Sequence, residues 1–488
     1  MKRYVFLAAF GFIFLAIAAV WMGGLNQDEG WYLYAANLVA DGKMLYRDFF
    51  YTQAPLLPLA YSPFVWIWQK WGLLGARIFT LLLGSFSIVF FALLARRLAP
   101  EGKKCAAAII TFLLLGSNLY HLYYLTIPKT YALASLFVAG GFYLLTLNKS
   151  LHYLSAGICL ALASCARISI GVTLIIVGLY LLYRAIRNGE WAKLIAFSIG
   201  GLFTLSVVYS PFLLNPETRE GFIAAQSYHS ARCGGGHDLT WIVGSISRLI
   251  RWYLPVFVFL GLAIFSSSLR PVTLIFRGKV GLVLCAFLAI FIVQMFAPFP
   301  YEDYQVPIMG LLVVVATALL LRVSQMPNRV VLLALGITWA MSFGSPLLEK
   351  WSTNGQDRFW SLKKKSYELQ QLRDVAKRIE KLDPGGKTIF TQDIYLAIET
   401  NRRVPQGFEM GPYAILSDAD ITNLIASTSC PVAALSGYCF AVDMPSGKER
   451  PISDQIKYWE LLKKSYDLAD REDSFGQNAT PLLILKRR

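Results

Sequence analysis

The sequence predicts a polytopic all-α membrane protein carrying a soluble α/β domain at its C-terminal end, and three observations predict it. Eleven stretches run sixteen or more residues without one Asp, Glu, Lys or Arg. Such runs approach the roughly 20 apolar residues that an α-helix needs to cross a hydrocarbon core about 30 Å thick. The 488 residues are 56% hydrophobic with a mean hydropathy of +0.50, which leaves a soluble protein too little polar surface to face water. Beyond residue 349 the charges return at the density of a soluble chain. The expected division is therefore a membrane domain over 1–348 and a soluble domain over 349–488.

The runs are 4–27, 78–95, 105–128, 130–148, 150–166, 168–183, 194–216, 252–269, 280–301, 304–321 and 330–348, read as about eleven transmembrane helices. A leader removed after Ala16–Ala19 is the alternative for the first, and its long apolar stretch favours a retained span. Two other uncharged runs are set aside. Residues 421–442 hold Thr422, Asn423, Ser427, Thr428 and Ser429, too polar for lipid. Residues 49–69 hold Pro55, Pro58 and Pro63, whose unpaired backbone suits an interfacial or re-entrant segment. With this choice, Arg96, Arg97, Lys103, Lys104, Arg184 and Arg187 fall in loops on one side. Those loops hold most of the net charge of +16. The excess is then a positive-inside signal, placing the first loop and the tail outside. It is no argument for nucleic acid, which the pI of 9.4 alone would suggest.

The first outer segment, 24–75, is long. Trp31, Tyr34, Leu38 and Val39 share a helical face opposite Asn37 and Asp41, as in a helix lying at the interface and ended by Gly42. A second element is expected near Pro55. The loop 214–250 contains Gly234-Gly235-Gly236 and reads as flexible, with Arg232, His229 and His237 as weak acceptor contacts. In the tail a helix is expected over 362–382, ending at Asp383-Pro384-Gly385-Gly386. Strands are expected at 387–391, 431–436 and 480–486, with a helix near 453–465. Cys430 and Cys439 lie outside the spans, where a bridge between them suits an oxidising compartment. No zinc-type ligand spacing occurs.

The chemistry-bearing residues cluster at the outer ends of spans. Asp28-Glu29 stands where the chain first leaves the bilayer. A carboxylate there is costly unless paired or used, and the plain alternative is a helix cap. Arg77 and Arg167 lie at outer ends, the side that basic residues avoid. Guanidinium forks suit phosphate oxygens, and snorkelling to headgroups is the alternative. Lys129 sits in a similar outer turn. Tyr301, Glu302, Asp303 and Tyr304 form another, whose carboxylates suit sugar hydroxyls or a divalent cation, or simply solvent.

The string Asp28-Glu29-Gly30-x-x-Leu33-Tyr34-x-Ala36, then Gly42-x-x-x-Tyr46-x-Asp48-Phe49, then Gln53-x-Pro55-Leu56, then Arg77, resembles the bacterial branch of the GT-C glycosyltransferases. The likeness is to the ArnT-like and protein O-mannosyltransferase-like group (glycosyltransferase family 39 and relatives). It is specific over about residues 1–100 and architectural in the tail. It implies transfer of a sugar, with inversion, from a polyprenyl-phosphate donor to a lipid A, lipid-linked glycan or protein acceptor. The implied place is the periplasmic face of a bacterial inner membrane, among membrane lipids. It assigns Asp28 the general base and supports Arg77 and Arg167 at the donor phosphate; Glu29, pointing elsewhere on the helix, is read as orienting the catalytic pair, and Lys129 as a further phosphate contact. Asp48 and Tyr301–Tyr304 are implied to contact substrate or shape the site. No cofactor is obligatory, because a phosphate neutralised by cations is a tolerable leaving group. ArnT-like members often place an Asp where this chain has Lys129, so the acceptor stays open. A transporter or flippase would show repeated halves and ionisable residues deep in spans, and neither is present in the sequence. A non-catalytic scaffold for envelope polysaccharide assembly is the remaining rival.

Overall fold

The computed structural model describes residues 2–231, 239–265, 278–297, 300–323, 336, 367–443 and 448–488. The apolar run 330–348 apart from residue 336, the boundary at 349, the turn residues Pro298-Phe299, the glycine run at 234–236, Arg232 and His237 lie outside them, as does the His229 side chain. The chain divides into two compact units. The first comprises residues 1–20, 80–210 and 237–359; the second comprises 21–79, 211–236 and 360–488. The tail is therefore not a unit by itself, because it packs together with the first outer segment.

The first unit is helical. Ten of the eleven expected runs fall on helices. Five are long and apolar enough to cross a membrane, and up to eight if each bent pair counts as one span. Two of the pairs lie within this unit, Lys104–Gly116 with Leu119–Thr126, bent by 72°, and Leu239–Trp252 with Leu254–Gly261, bent by 82°. Thr130–Leu144 and Ser150–Ala166 are shorter apolar helices. The count of eleven is thus not reproduced among the described residues; helices of 15 and 17 residues reach only about 22–26 Å. Val306–Val323 is almost wholly buried and apolar on every side, as the centre of a bundle requires. Val172–Asn188 and Trp191–Leu213 instead expose Ile175, Leu179, Ile195, Ile199, Leu202 and Phe203, an apolar surface fit only for lipid. Small hydroxyls join the inner helices: Ser135 donates to Ser87 (3.0 Å) and Thr111 to Thr317 (3.3 Å).

In the second unit the first-loop helix is Gln27–Ala40, longer at its start than the aromatic pattern suggested. Apart from Asp28 it is buried from Gln27 to Ala36, on both faces rather than one. Gly30 explains how: a Cβ there would collide with the backbone of Ile394 and Tyr395. Residues 49–69 do not span. They form the six-residue helix Leu56–Tyr61 and a short 3₁₀ turn before Trp66. The helix Trp66–Leu98 breaks at Gly72 (φ 63°, ψ −156°), a conformation that a side chain would strain.

The tail builds an antiparallel sheet in the order β1 (Val432–Ser436), β5 (Thr480–Arg487), β4 (Tyr466–Phe475), with Val432 opposite Lys486 and Ser436 opposite Leu482, while β2 (Val442–Asp443) and β3 (Lys448–Glu449) pair with each other in a short antiparallel ribbon. The described helices Glu368–Leu382 and Ile452–Ser465 and the strands near 431–436 and 480–486 match expectation. The expected strand at 387–391 is an extended segment joined only by bridges, Phe390 to Ala433 and Thr388 to Arg403. Strand β4 was not legible in its charged sequence. Pairing with β5 makes it a strand, and Arg378 binds Asp470 (2.9 Å) and Glu472 across it. Cys430 and Cys439 are free thiols, so the expected bridge is absent. Strand β1 runs between them at about 3.3 Å per residue, beyond the roughly 7 Å Cα separation that a disulfide tolerates.

Candidate active site

The first turn of Gln27–Ala40 sorts the two adjacent carboxylates. Asn26 is the N-cap: its side chain accepts from Asp28 N (3.0 Å), and its own N–H donates to Glu29 Oε1 (3.0 Å). Such a box satisfies helix-terminal donors that would otherwise be orphaned. Glu29 also receives Arg77 on both oxygens, at 2.7 Å from Nε and 2.6 Å from Nη2. The remaining fork of Arg77 donates to Gly23 O (2.9 Å) and Gly24 O (2.8 Å), and neither charged side chain is exposed. Asp28, one residue earlier, points elsewhere on the helix and is half-exposed. Its carboxylate accepts the Trp31 indole N–H at 3.1 Å. Arg77, read in the sequence as a donor-phosphate contact, is turned here onto a buried carboxylate and two carbonyls.

The tail holds this helix by polar ties. Leu25 N donates to Glu368 Oε2 (2.6 Å), Gln27 N to Gln477 Oε1 (2.7 Å), and Val404 N to Tyr34 Oη (3.1 Å). The Gln27 amide donates to Asp393 Oδ1 (3.0 Å). Glu399 accepts Leu73 N (2.7 Å), capping the helix that resumes after Gly72. Burial pushes the Glu399 carboxyl up, against the pull of that N–H and of Arg373. Asp48 is held by Arg47 (2.9 Å) and by Met44 N (2.7 Å), and Arg47 brings its carboxyl down to about 2. It shapes its own turn.

In the first unit, side chains read separately in the sequence are brought together. Lys129 Nζ lies 3.4 Å from Asp303 Oδ2, which also accepts the Tyr131 hydroxyl at 2.8 Å. The ammonium sits over Tyr131, 4.9 Å from the ring centre. Arg167 stacks between Tyr131 (4.9 Å) and Tyr304 (4.7 Å) and reaches Thr130 Oγ1 (3.4 Å). Cations on aromatic faces keep their charge without needing a carboxylate each. Glu302 pairs with Arg248 (3.0 Å), and Tyr301 is exposed against Trp241. Both turn carboxylates thus have basic partners. Among the described residues no group of three His, Cys, Asp or Glu is placed to hold a metal ion.

An adjoining aromatic group was missed. Asn118 caps the helix Leu119–Thr126 and donates to Trp252 O (3.0 Å), while His121 Nδ1 meets the Tyr253 hydroxyl at 2.8 Å. Tyr120 stacks on Trp252 at 4.8 Å. The run Tyr120-His121-Leu122-Tyr123-Tyr124 inside an apolar stretch was the available signal. The tail residues Asp393, Glu399 and Glu368 had none, because only long-range folding brings them to the first loop.

No protein-family model matches the sequence, and no curated protein matches it. The architecture is nevertheless a known one, the GT-C fold. The structure is similar to ArnT from Cupriavidus metallidurans bound to undecaprenyl phosphate, with a TM-score of 0.66 and 15% identity over 99% of this chain and 98% of that one. The same protein in the apo state gives 0.60 at 13% identity, over 99% and 98% of the two chains. The Archaeoglobus fulgidus oligosaccharyltransferase in its apo form gives 0.53 at 11%, over 88% of this chain and 69% of its own. At these identities the likeness is one of fold.

Proposed function

We propose that this chain is an integral-membrane glycosyltransferase that takes a sugar from a polyprenyl-phosphate-linked donor and passes it, with inversion, to an acceptor hydroxyl. The observation that carries the reading is the separation of Asp28 from Glu29. Glu29 is buried and engaged with Arg77 on both oxygens, whereas its neighbour Asp28 is only partly buried and lies on another side of the helix turn. That leaves Asp28 as the group able to approach a hydroxyl. In the reaction the acceptor oxygen bonds the anomeric carbon, the carbon–oxygen bond to phosphate breaks, and Asp28 takes the hydroxyl proton. The polyprenyl phosphate departs with the bonding pair.

Lys129 and Arg167 are the cations assigned to the donor phosphate, since Arg77 is turned onto Glu29. Their seating over aromatic rings supports the role, because it leaves both groups charged, and such cations suit phosphate oxygens. Asp303, Tyr304, Tyr301 and Glu302 are then sugar or acceptor contacts. The loop charges favour a periplasmic face of an inner membrane. Lipid A, a lipid-linked glycan and a protein hydroxyl all remain acceptors that this chemistry accommodates. The GT-C fold and the lack of repeated halves in the sequence favour this reading over a flippase.

The test uses purified protein with a polyprenyl-phosphate sugar and mass-spectrometric detection of the transferred sugar. Asp28→Asn should bind the donor and lower transfer by about 10²-fold or more. Wild-type transfer by that variant sinks the base assignment, and absence of donor consumption by the wild type with any such sugar sinks the reading.

A further inference from the structure

We propose that Asp393, in the tail, is a positioning residue for Asp28, acting through Gln27; the inference deepens the reading of Asp28 as base and rests on it.

Asp393 is 1% exposed, and no basic side chain pairs with it among the described residues. A buried carboxylate without a cation must be satisfied by neutral donors. Four converge on it. Oδ1 accepts the Gln27 amide (3.0 Å) and the Tyr395 hydroxyl (3.0 Å). Oδ2 accepts Ser436 N (3.2 Å) and the Cys439 thiol (3.5 Å). Burial beside Asp393 pushes the Cys439 thiol well above its ordinary value, so it stays a donor. Three donors belong to the tail itself. The fourth comes from Gln27, the first residue of the helix and the one before Asp28.

The placement of Gln27 gives the tie its consequence. Its backbone N–H is held by Gln477 and its side chain by Asp393. The Gln27 Oε1 atom is buried with no hydrogen-bond partner among the described residues, so the amide is anchored by its donor end. On the other side of Asp28, Glu29 is locked by Arg77. The half-exposed carboxylate therefore sits between two immobilised neighbours. A base must be held to within fractions of an ångström of its proton, and a 1 Å misplacement costs up to about 10²-fold in rate. Asp393 supplies half of that constraint from some 366 residues away in sequence.

Gln27→Met removes the amide, nearly keeps its volume and leaves the tail's own three bonds to Asp393 intact. Its turnover should fall between about 10- and 100-fold, with the donor KM changed less than about twofold. Amide exchange should rise in a peptide covering residues 25–33 and stay unchanged in peptides from β1 and β5. Asp393→Ala, in the wild-type and Gln27→Met backgrounds, closes a double-mutant cycle. The second substitution should add little to the loss of turnover, because both cut the same tie. If Asp393→Ala does not fold, Gln27→Met alone decides. Wild-type turnover in Gln27→Met, beside an inactive Asp28→Asn, overturns the positioning role, as does unchanged exchange over 25–33. An active Asp28→Asn with raised exchange in Gln27→Met instead removes the base assignment, and the positioning role falls with it.

Discussion

Glu29 and Arg77, 48 residues apart, meet as a two-pronged ion pair at 2.6 and 2.7 Å, with neither side chain exposed. The pair ties the first turn of the loop helix to the helix that follows Gly72. Buried ion pairs add little net stability, because desolvation offsets the attraction. Their effect appears when one partner is lost. Here it fixes which of two neighbouring carboxylates faces outward.

Arg77→Met should therefore destabilise the protein by about 3–5 kcal/mol, since it strands a buried carboxylate. The double variant Glu29→Gln with Arg77→Met should recover part of that loss. Thermal unfolding in detergent reads both. A single variant as stable as wild type would show that water or another group reaches Glu29.

Arg167→Gln should raise the donor KM by about tenfold or more while leaving thermal stability within about 1 kcal/mol, whereas Lys129→Met should raise it likewise and also lower stability, because it strands the buried Asp303 carboxylate. Arg167 rests on two aromatic faces, and Lys129 sits over Tyr131 with a 3.4 Å contact to Asp303. Titration with a polyprenyl phosphate separates this from a folding defect. Unchanged donor affinity in both variants would remove the phosphate role.

Glu399 makes stability fall with rising pH over one window. Burial raises its carboxyl above the ordinary 4.5, so between that value and the raised one the folded state holds more protons than the unfolded chain. Stability contributed by the proton is present below the window and lost through it. Glu399→Gln keeps an acceptor for Leu73 N and removes the titration. Its melting temperature should gain on the wild type as pH rises above about 4.5. Parallel melting curves from pH 4 to 8 would show that Glu399 is not desolvated.

Cys430 and Cys439 should both alkylate after denaturation without reductant, and Cys439 should resist alkylation in the native protein, buried beside Asp393. Peptide mapping that recovers them joined would contradict the position of β1 between them.

The membrane character of the chain was legible in its sequence, because lipid demands long uncharged runs and the loop charges orient them. Asp28-Glu29, Arg77, Lys129, Arg167 and the turn Tyr301–Tyr304 were legible as ionisable or aromatic groups at the ends of such runs. Their partners were not. Local pattern cannot report that Arg77 would close on Glu29, or that Arg167 would lie between Tyr131 and Tyr304, because those contacts join segments far apart in the chain. The same holds for β4, whose charged sequence becomes a strand only against β5. It holds most for the tail. Its helices and two of its strands follow from local periodicity, yet Asp393, Glu368 and Glu399 acquire their roles only when folding brings them against residues 25–73. Sequence by itself determined which groups were available and on which kind of surface. Tertiary structure decided which of them neutralise one another and which stay accessible, since burial and hydrogen bonding are properties of the packed whole.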